Sequence, residues 1–524
     1  MFSRRDSIAA GAAALLAGSA SPSAASEAGE SMASRPVPDW FQDAKFGLWA
    51  HWGPQCVPEM GDWYGRLMYV PGFAAYDHHA RTYGHPSRTG FLDIIGHWKP
   101  DEWQPEYLLR RYKQAGAKYF VAMACHHDNF DLFDSAHHPW NSAHIGPKCD
   151  IVGTWAKVAR DAGLRFGVSN HSSHAWHWWQ TAYGYDAEGP MKGRRYDAYW
   201  LRKQHGRGTW WDGLDPQDLY TGPSFVPPDG LNSNKAMADW HGARDGQWLE
   251  DAPQNPAFVR KWLLRQKDLV EKYQPDLLYF DDYGVPFGPT GLEAVSHFQS
   301  LTPEGVLTAK QLNDDQRRYV VEDVERGFLA DTRPSAWQTD TCIGNWHYDR
   351  PLYEKGGYKS AKQVIQRLAD VVSKNGCLLL SIPVRGDGSI DDKEERVLDG
   401  LAAWFQVNGE AIYGTRPWRR FGEGPTKPPL GVMAEAEAKP FTSEDIRFTS
   451  RGGTLYALLL DWPAGEVAIR SLGQAEGEVH RVTLLGGPEL KFRQDRQALR
   501  LSTLPPGDGR FVPVLKVEGN GLAA

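Results

Sequence analysis

The stretch Asp150-Ile-Val-Gly-Thr-Trp-Ala-Lys-Val-Ala-Arg-Asp-Ala-Gly-Leu-Arg-Phe-Gly-Val168 decides the fold. Ile151, Trp155, Val158 and Ala159 fall at helical spacing, and Leu164-Arg-Phe-Gly-Val168 follows as a short strand. The same order recurs on both sides. A helix-like segment at 102–116 leads into Lys118-Tyr-Phe-Val-Ala-Met-Ala124, and a helix over 257–273 leads into Asp276-Leu-Leu-Tyr-Phe280. Arg318-Tyr-Val-Val321 reads as another short strand. Val364, Ile365, Leu368, Val371 and Val372 mark a helix face that stops at Lys374-Asn-Gly376. Cys377-Leu-Leu-Leu-Ser-Ile-Pro383 is a fully apolar strand, and 391–406 is the last helix of the set. Repeated helix-then-strand order implies parallel strands with right-handed crossovers. Over 36–420 this predicts a TIM-like (β/α)-barrel, with an open doubly wound sheet as the second choice.

Two segments fall outside that rhythm. Residues 176–250 are rich in Trp, Gly, Asp and Tyr and are expected to be an insertion on the active-site face, where barrel loops carry function. Beyond Pro417, short runs such as Ile446-Arg-Phe-Thr449 and Val479-His-Arg-Val-Thr-Leu484 alternate with Gly/Pro turns, which predicts a C-terminal antiparallel β-sandwich at 430–520. The start, with Arg4-Arg5, an Ala/Leu run and Ala24-Ala25, reads as a signal peptide of twin-arginine type over 1–25, and so as a periplasmic or secreted protein.

Composition narrows the function classes. With 58 Lys+Arg against 65 Asp+Glu, the net charge of −7 speaks against a nucleic-acid partner. No apolar run after the leader is long enough to span a membrane. Five cysteines, an odd number, fit neither a disulfide framework nor a zinc site. The 22 Trp, 21 Tyr and 21 Phe suit either a large aromatic core or a surface that stacks on sugar rings.

In a barrel, residues at the C-terminal ends of strands face the site. Asp281 and Asp282 follow the strand at 276–280, and strand alternation lets one of them point inward. Glu322, Asp323 and Glu325 follow the strand at 318–321 and can supply a second carboxyl. Two carboxyls ~5–5.5 Å apart permit a retaining glycoside displacement. Histidines mark other strand ends: His51, the pair His126-His127, and His171, His174 and His177. They suit hydrogen bonding to sugar hydroxyls. A metal-hydrolase arrangement is the alternative, but the ligand arrays His-x-His and His-Glu-x-x-His are absent, so neither metal nor cofactor is expected.

At these residues the chain resembles the α-L-fucosidases of glycoside hydrolase family 29. The resemblance rests on Trp40-Phe-Gln-Asp-Ala-Lys-Phe-Gly-Leu-Trp-Ala-His-Trp-Gly53, Lys118 to Phe130, Tyr273 to Asp281, Val371 to Gly376 and Asn408 to Gly414, in the right order along most of 38–420. It implies a barrel, a C-terminal β-sandwich, and retention of configuration without a metal. It also implies that Asp281 is the nucleophile and that His51, His126 and His127 bind fucose. Asp62-Trp63 corresponds to the family's acid–aromatic pair, and Trp346 lies in a segment similar to another pocket wall. The acid/base is variable in the family. Glu325 is favoured for it by position and by likeness to a Glu-x-Gly motif, with Glu322 as the alternative. Arg326 is placed to hold the nucleophile or the substrate. His171 stands where many members carry Tyr. The implied function is exo-acting hydrolysis of terminal α-L-fucosyl residues from oligosaccharides or glycans. A fucose-binding barrel without turnover and a metal-dependent hydrolase are the alternatives.

Overall fold

Eight parallel strands close into a barrel in the computed structural model of the chain, which describes residues 32–223, 225–245, 255–505, 507, 509 and 511–522. The strands are β1 (Phe46–Ala50), β2 (Tyr119–Cys125), β3 (Arg165–Asn170), β4 (Leu277–Tyr283), β5 (Val306–Lys310), β6 (Val321–Asp323), β7 (Trp337–Cys342) and β8 (Gly376–Ser381). Each pairs with the next, and β8 closes on β1 from Phe46↔Leu378 to Trp49↔Ser381. Strands β2 and β8 are buried at every position, because one face fills the barrel and the other meets helices; this is why they read as unbroken apolar runs. The barrel is therefore closed and not an open sheet. The expected leader at 1–25 lies outside the described residues, as does 246–250 of the expected insertion. No helix among the described residues is long and apolar enough to cross a membrane.

Helices α1 (Pro105–Gln114), α2 (Ile151–Asp161), α3 (Pro256–Tyr273), α4 (Pro289–Leu301), α5 (Ala361–Ser373) and α6 (Asp392–Asn408) pack outside the barrel. Helices α1 and α4 begin with a proline, and the others start at side-chain caps. Asp150 accepts from Gly153 N, Asn255 from Phe258 N, and Ser360 from Gln363 N. Some strand bounds differ from expectation. β4 runs on to Tyr283, so Asp281 and Asp282 lie within the strand. Residues 316–318 form a 3-10 turn and β6 begins only at Val321. Strands β5 and β7 go beyond what the sequence predicted. In β7, Gln338 and Asp340 are buried polar residues, so Trp337-Gln-Thr-Asp-Thr-Cys342 has no apolar signature.

The helical layer has a gap. No long helix follows β5 or β6; a single turn and the loop 324–336 make those connections. A connection within the C-terminal sheets, between their first and second strands, fills this side, with Phe328 and Gly431 bridged across it. Strands β9 (Arg416–Glu423), β10 (Ile446–Arg451), β11 (Thr454–Leu459), β12 (Val467–Ile469), β13 (Glu478–Leu484), β14 (Phe492–Gln494), β15 (Leu499–Leu501) and β16 (Val514–Asn520) form a five-stranded antiparallel sheet, β13-β16-β11-β10-β9, and a three-stranded one, β12-β15-β14. Phe448, Leu459 and Val517 of the first share a core with Ile469 and Leu499 of the second, as in a sandwich. The first sheet starts at Arg416, ahead of the expected boundary at 430. Arg447 of β10 reaches back to α5, with Nε 2.7 Å from Asp370 Oδ1, and Lys374 Nζ lies 2.9 Å from the same carboxylate. All three side chains are buried.

Most of the aromatic surplus is packing. Trp52, Trp98, Trp155, Trp178, Trp179 and Trp404 are among the most deeply buried side chains. The described part of the insertion is likewise a folded cap and not an open loop. Tyr220 and Tyr69 donate to Asp197 at 2.6 and 2.7 Å, all three buried.

Candidate active site

The C-terminal ends of the strands surround a cavity of about 180 Å³. Trp49 and His51 enter it from β1 and the residue after it, Asp281 and Tyr283 from β4, Lys310 from β5 and Asp340 from β7; loops add Asp62, Trp63, His126, His127, His171, His174, Glu325 and Trp346. Strand alternation sorts the two aspartates. Tyr279, Asp281 and Tyr283 share one face, and Asp282 takes the other. The β4–β5 register shifts between Tyr279 and Tyr283, a bulge of the kind that re-aims a strand end beside a site. Asp282 is buried behind the pocket, where it accepts from Ser173 Oγ at 2.8 Å and lies 3.1 Å from His174 Nε2.

The Asp281 carboxylate contacts Lys310 Nζ through one oxygen. Its other oxygen lies 3.1 Å from His171 Nδ1 and 3.4 Å from His127 Nε2. Burial by itself would push this carboxyl up. The Lys310 ammonium, with the His171 and His127 rings, outweighs it and holds the group well below the usual carboxylate range. Lys310 Nζ also donates to Glu325 Oε2 at 2.7 Å. Although burial opposes the lysine's charge, Asp281, Glu325 and Asp340 hold its ammonium well above its ordinary value. Asp340 accepts from Tyr279 OH at 3.0 Å, and burial together with the neighbouring Asp323 pushes it up strongly.

The imidazoles are fixed from behind. Gln55 Nε2 donates to His126 Nδ1 at 2.7 Å, which leaves the His126 Nε2 side facing Asp62, 3.8 Å away. His347 Nδ1 donates to Asp62 Oδ1 at 2.6 Å. His51 Nδ1 lies 3.0 Å from Ser381 Oγ, and His127 Nδ1 donates to the His171 carbonyl at 3.1 Å. Trp178, from the insertion, backs His126 and His127 at ring separations of 6.4 and 6.1 Å. Burial lowers His51 and His126 well below the ordinary imidazole value and brings His171 down to about 4, so these rings are neutral at pH 7 and can both donate and accept. His171 Nε2 is buried with no hydrogen-bond partner among the described residues. Trp63 stands in the left-handed region, φ 61°, and Trp346 lies 4.9 Å from the His51 ring; both face the cavity.

Residues 14–410 match the family model described as alpha-L-fucosidase, and 439–517 match the alpha-L-fucosidase C-terminal domain. The chain belongs to the α-L-fucosidase family. It is a glycoside hydrolase. It is 26% identical to the tissue alpha-L-fucosidase of Rattus norvegicus, over 91% of this chain and 88% of the relative. It is 26% identical to that of Homo sapiens, over 93% and 91%. Among solved structures it is similar to the Thermotoga maritima alpha-fucosidase in complex with fucose, with TM-score 0.64 and 25% identity over 92% of this chain and 97% of that one.

Against this α-L-fucosidase frame, the expected residues Asp281, Glu325, His51, Asp62, Trp63, His126, His127, His171 and Trp346 converge on one cavity. Two do not. Glu322 faces away, bonded to Leu312 N, Arg317 and Arg333. Arg326 was expected beside the nucleophile or substrate. Its guanidinium turns instead to Glu435, Nε to Oε2 3.2 Å, and the chain at Arg326 takes a left-handed turn, φ 43°. Lys310, Asp340 and His347 are functional candidates the sequence did not single out. Lys310 stands at the end of β5 and Asp340 within β7, the two unpredicted strands; recognising those strands is the signal that would have found them.

Proposed function

We propose that this chain is an exo-acting, retaining α-L-fucosidase that removes terminal α-L-fucosyl residues from oligosaccharides or glycans. The observation that carries the reading is Asp281 and Glu325 bound to one Lys310 ammonium. Two oxygens that both hydrogen-bond one nitrogen lie within about 6 Å of each other, which fits the ~5–5.5 Å of a double displacement. Asp281, kept ionised, attacks the anomeric carbon as the glycosidic C–O bond breaks. Glu325 gives its proton to the leaving oxygen. Glu325 then takes a proton from water, whose oxygen attacks the anomeric carbon and releases fucose and the Asp281 carboxylate. The neutral histidines and Asp62 read the sugar hydroxyls, and Trp63 and Trp346 cover its apolar faces. The fucose complex and the mechanism-based-inhibitor complex of the Thermotoga maritima relative support this reading.

The test is to incubate the enzyme with 4-nitrophenyl α-L-fucoside and a panel of fucosylated oligosaccharides. Early NMR spectra should show α-fucose first, and a 2-fluoro fucosyl fluoride should leave a mass adduct on the peptide carrying Asp281. Initial release of β-fucose, or an adduct elsewhere, overturns the mechanism. Export by the twin-arginine route, motivated by Arg4-Arg5, is part of the same reading, and periplasmic recovery of a chain trimmed near Ala25 tests it.

One observation favours a second reading. Donor atoms of His126, His127 and His171, and of Asp62, His126 and His347, lie within 4.8 Å of one another in each group. Such sets can hold a divalent cation. Activity lost to a chelator and restored by zinc would favour it; chelator-resistant turnover would leave the carboxyl pair.

A further inference from the structure

The loop carrying Glu325 has no helix behind it. Its outer edge is covered by a strap from beyond the barrel. Phe328 and Gly431 exchange two backbone hydrogen bonds, Gly431 N to Phe328 O at 3.1 Å and Phe328 N to Gly431 O at 3.3 Å. Met433 N donates to Glu325 O at 2.8 Å, and Glu435 N to Arg326 O at 3.0 Å. Residues 431–435 thus run along 325–328 as a turn, bridged to it at Gly431 and leading into a short 3-10 segment, Ala434–Glu437. The approach is close. A Cβ on Gly327 would meet the Gly431 carbonyl oxygen at 2.5 Å.

Between Glu325 and Gly327 stands Arg326 with φ 43°, a conformation that a non-glycine residue keeps only where its surroundings over-determine it. Glu435 does this. Its carboxylate accepts from Arg326 Nε at 3.2 Å and Thr341 Oγ1 at 2.7 Å and pairs with Lys359 Nζ at 3.1 Å. One largely buried carboxylate therefore ties the turn after Glu325 to β7 and to the segment before α5. On the inner side, Arg326 N donates to the Asp340 carbonyl at 2.9 Å.

We infer that Glu435 is a positioning residue for the acid/base: it holds the left-handed turn at Arg326, and that turn aims Glu325 at the cavity. The inference rests on Glu325 being the acid/base. Glu435 does not line the cavity and touches no reacting atom.

The test uses the full chain and two fucosyl donors, a fucosyl-galactose disaccharide, whose leaving oxygen needs a proton, and α-L-fucosyl fluoride, whose leaving group needs far less help. Glu435→Ala should lower kcat/KM on the disaccharide by about 10–100-fold, within the range that general acid catalysis supplies. Its kcat/KM on the fluoride, which reports only formation of the glycosyl-enzyme and so does not include the base-assisted second step, should stay within about threefold of wild type. Gly327→Ala should give the same split from the opposite side of the contact. Equal losses on both donors, no loss in either variant, or failure of both variants to fold would overturn the inference. Glu325→Gln is the control. If it shows the split and the two strap variants do not, only the strap's part in catalysis falls. If it shows no split, the acid/base assignment itself falls.

Discussion

Asp281 and Glu325 share one cation: both carboxyls rest on Lys310 Nζ, a buried ammonium at the end of β5. Without that charge, only the His171 and His127 rings oppose burial at Asp281, and its carboxyl rises. A carboxyl that rises is protonated, and inactive as a nucleophile, at higher pH. Lys310→Met should therefore move the acid limb of the kcat/KM profile on fucosyl fluoride to higher pH. At neutral pH it should slow turnover by about 10²-fold or more. An unmoved acid limb would show that Lys310 does not hold the Asp281 charge.

The two carboxyls should fail differently. Asp281→Asn should cost on the order of 10⁴-fold or more in kcat on every fucoside while leaving fucose binding measurable by calorimetry. Glu325→Ala should cost about 10²–10⁴-fold on sugar leaving groups, and azide, replacing water as nucleophile, should restore turnover of activated fucosides with α-fucosyl azide, the product of retention, released. Near wild-type turnover of Asp281→Asn removes that residue from the chemistry.

Tyr283 lies on the Asp281 face of β4 at the rim of the cavity, 44% exposed, near Glu325 and so on the side where the leaving group departs. An aromatic ring there offers a face for the C–H surface of a leaving sugar, a contact of about 0.5–1.5 kcal/mol. Tyr283→Ala should lower kcat/KM several-fold on fucosyl oligosaccharides and leave methyl α-L-fucoside, too small to reach the ring, unchanged. Loss of the acid would slow both. Equal rates for the variant and wild type on oligosaccharides would leave the ring without a role in specificity.

The His126-His127 loop stands on a buried ion pair. Arg265 Nε lies 3.0 Å from Asp131 Oδ2, and Arg265 also donates to Asn129 Oδ1 at 2.7 Å. Removing one partner leaves a buried charge uncompensated. Arg265→Ala should destabilise the chain by about 3–5 kcal/mol. Denaturant titration of the wild type and the variant measures this, and a change below about 1 kcal/mol would show that Asp131 finds another partner.

The sequence was legible where burial left a pattern. β2 and β8 are apolar on both faces, and the resemblance fixed Asp281 and the histidines within ordered motifs. Lys310 and Asp340 left none, because their strands are short or carry polar residues inward. Choosing Glu325 over Glu322 depends on where β6 starts and on the turn after it, so parity counted from Arg318 could not decide between them. The direction of Arg326 is set by Glu435, 109 positions later in the chain. No local rule reaches that far.

The Asp370–Arg447–Lys374 cluster bears on how the molecule comes apart. Its acid belongs to α5 and one base to the residue that caps that helix, while the other base belongs to β10, and all three side chains are buried. Separating barrel from sandwich would strip Asp370 of one counter-ion and open the cluster to water, a penalty of several kcal/mol. On heating, the two halves should therefore melt in a single calorimetric transition. A barrel excised for engineering would need that aspartate replaced before it could stand alone.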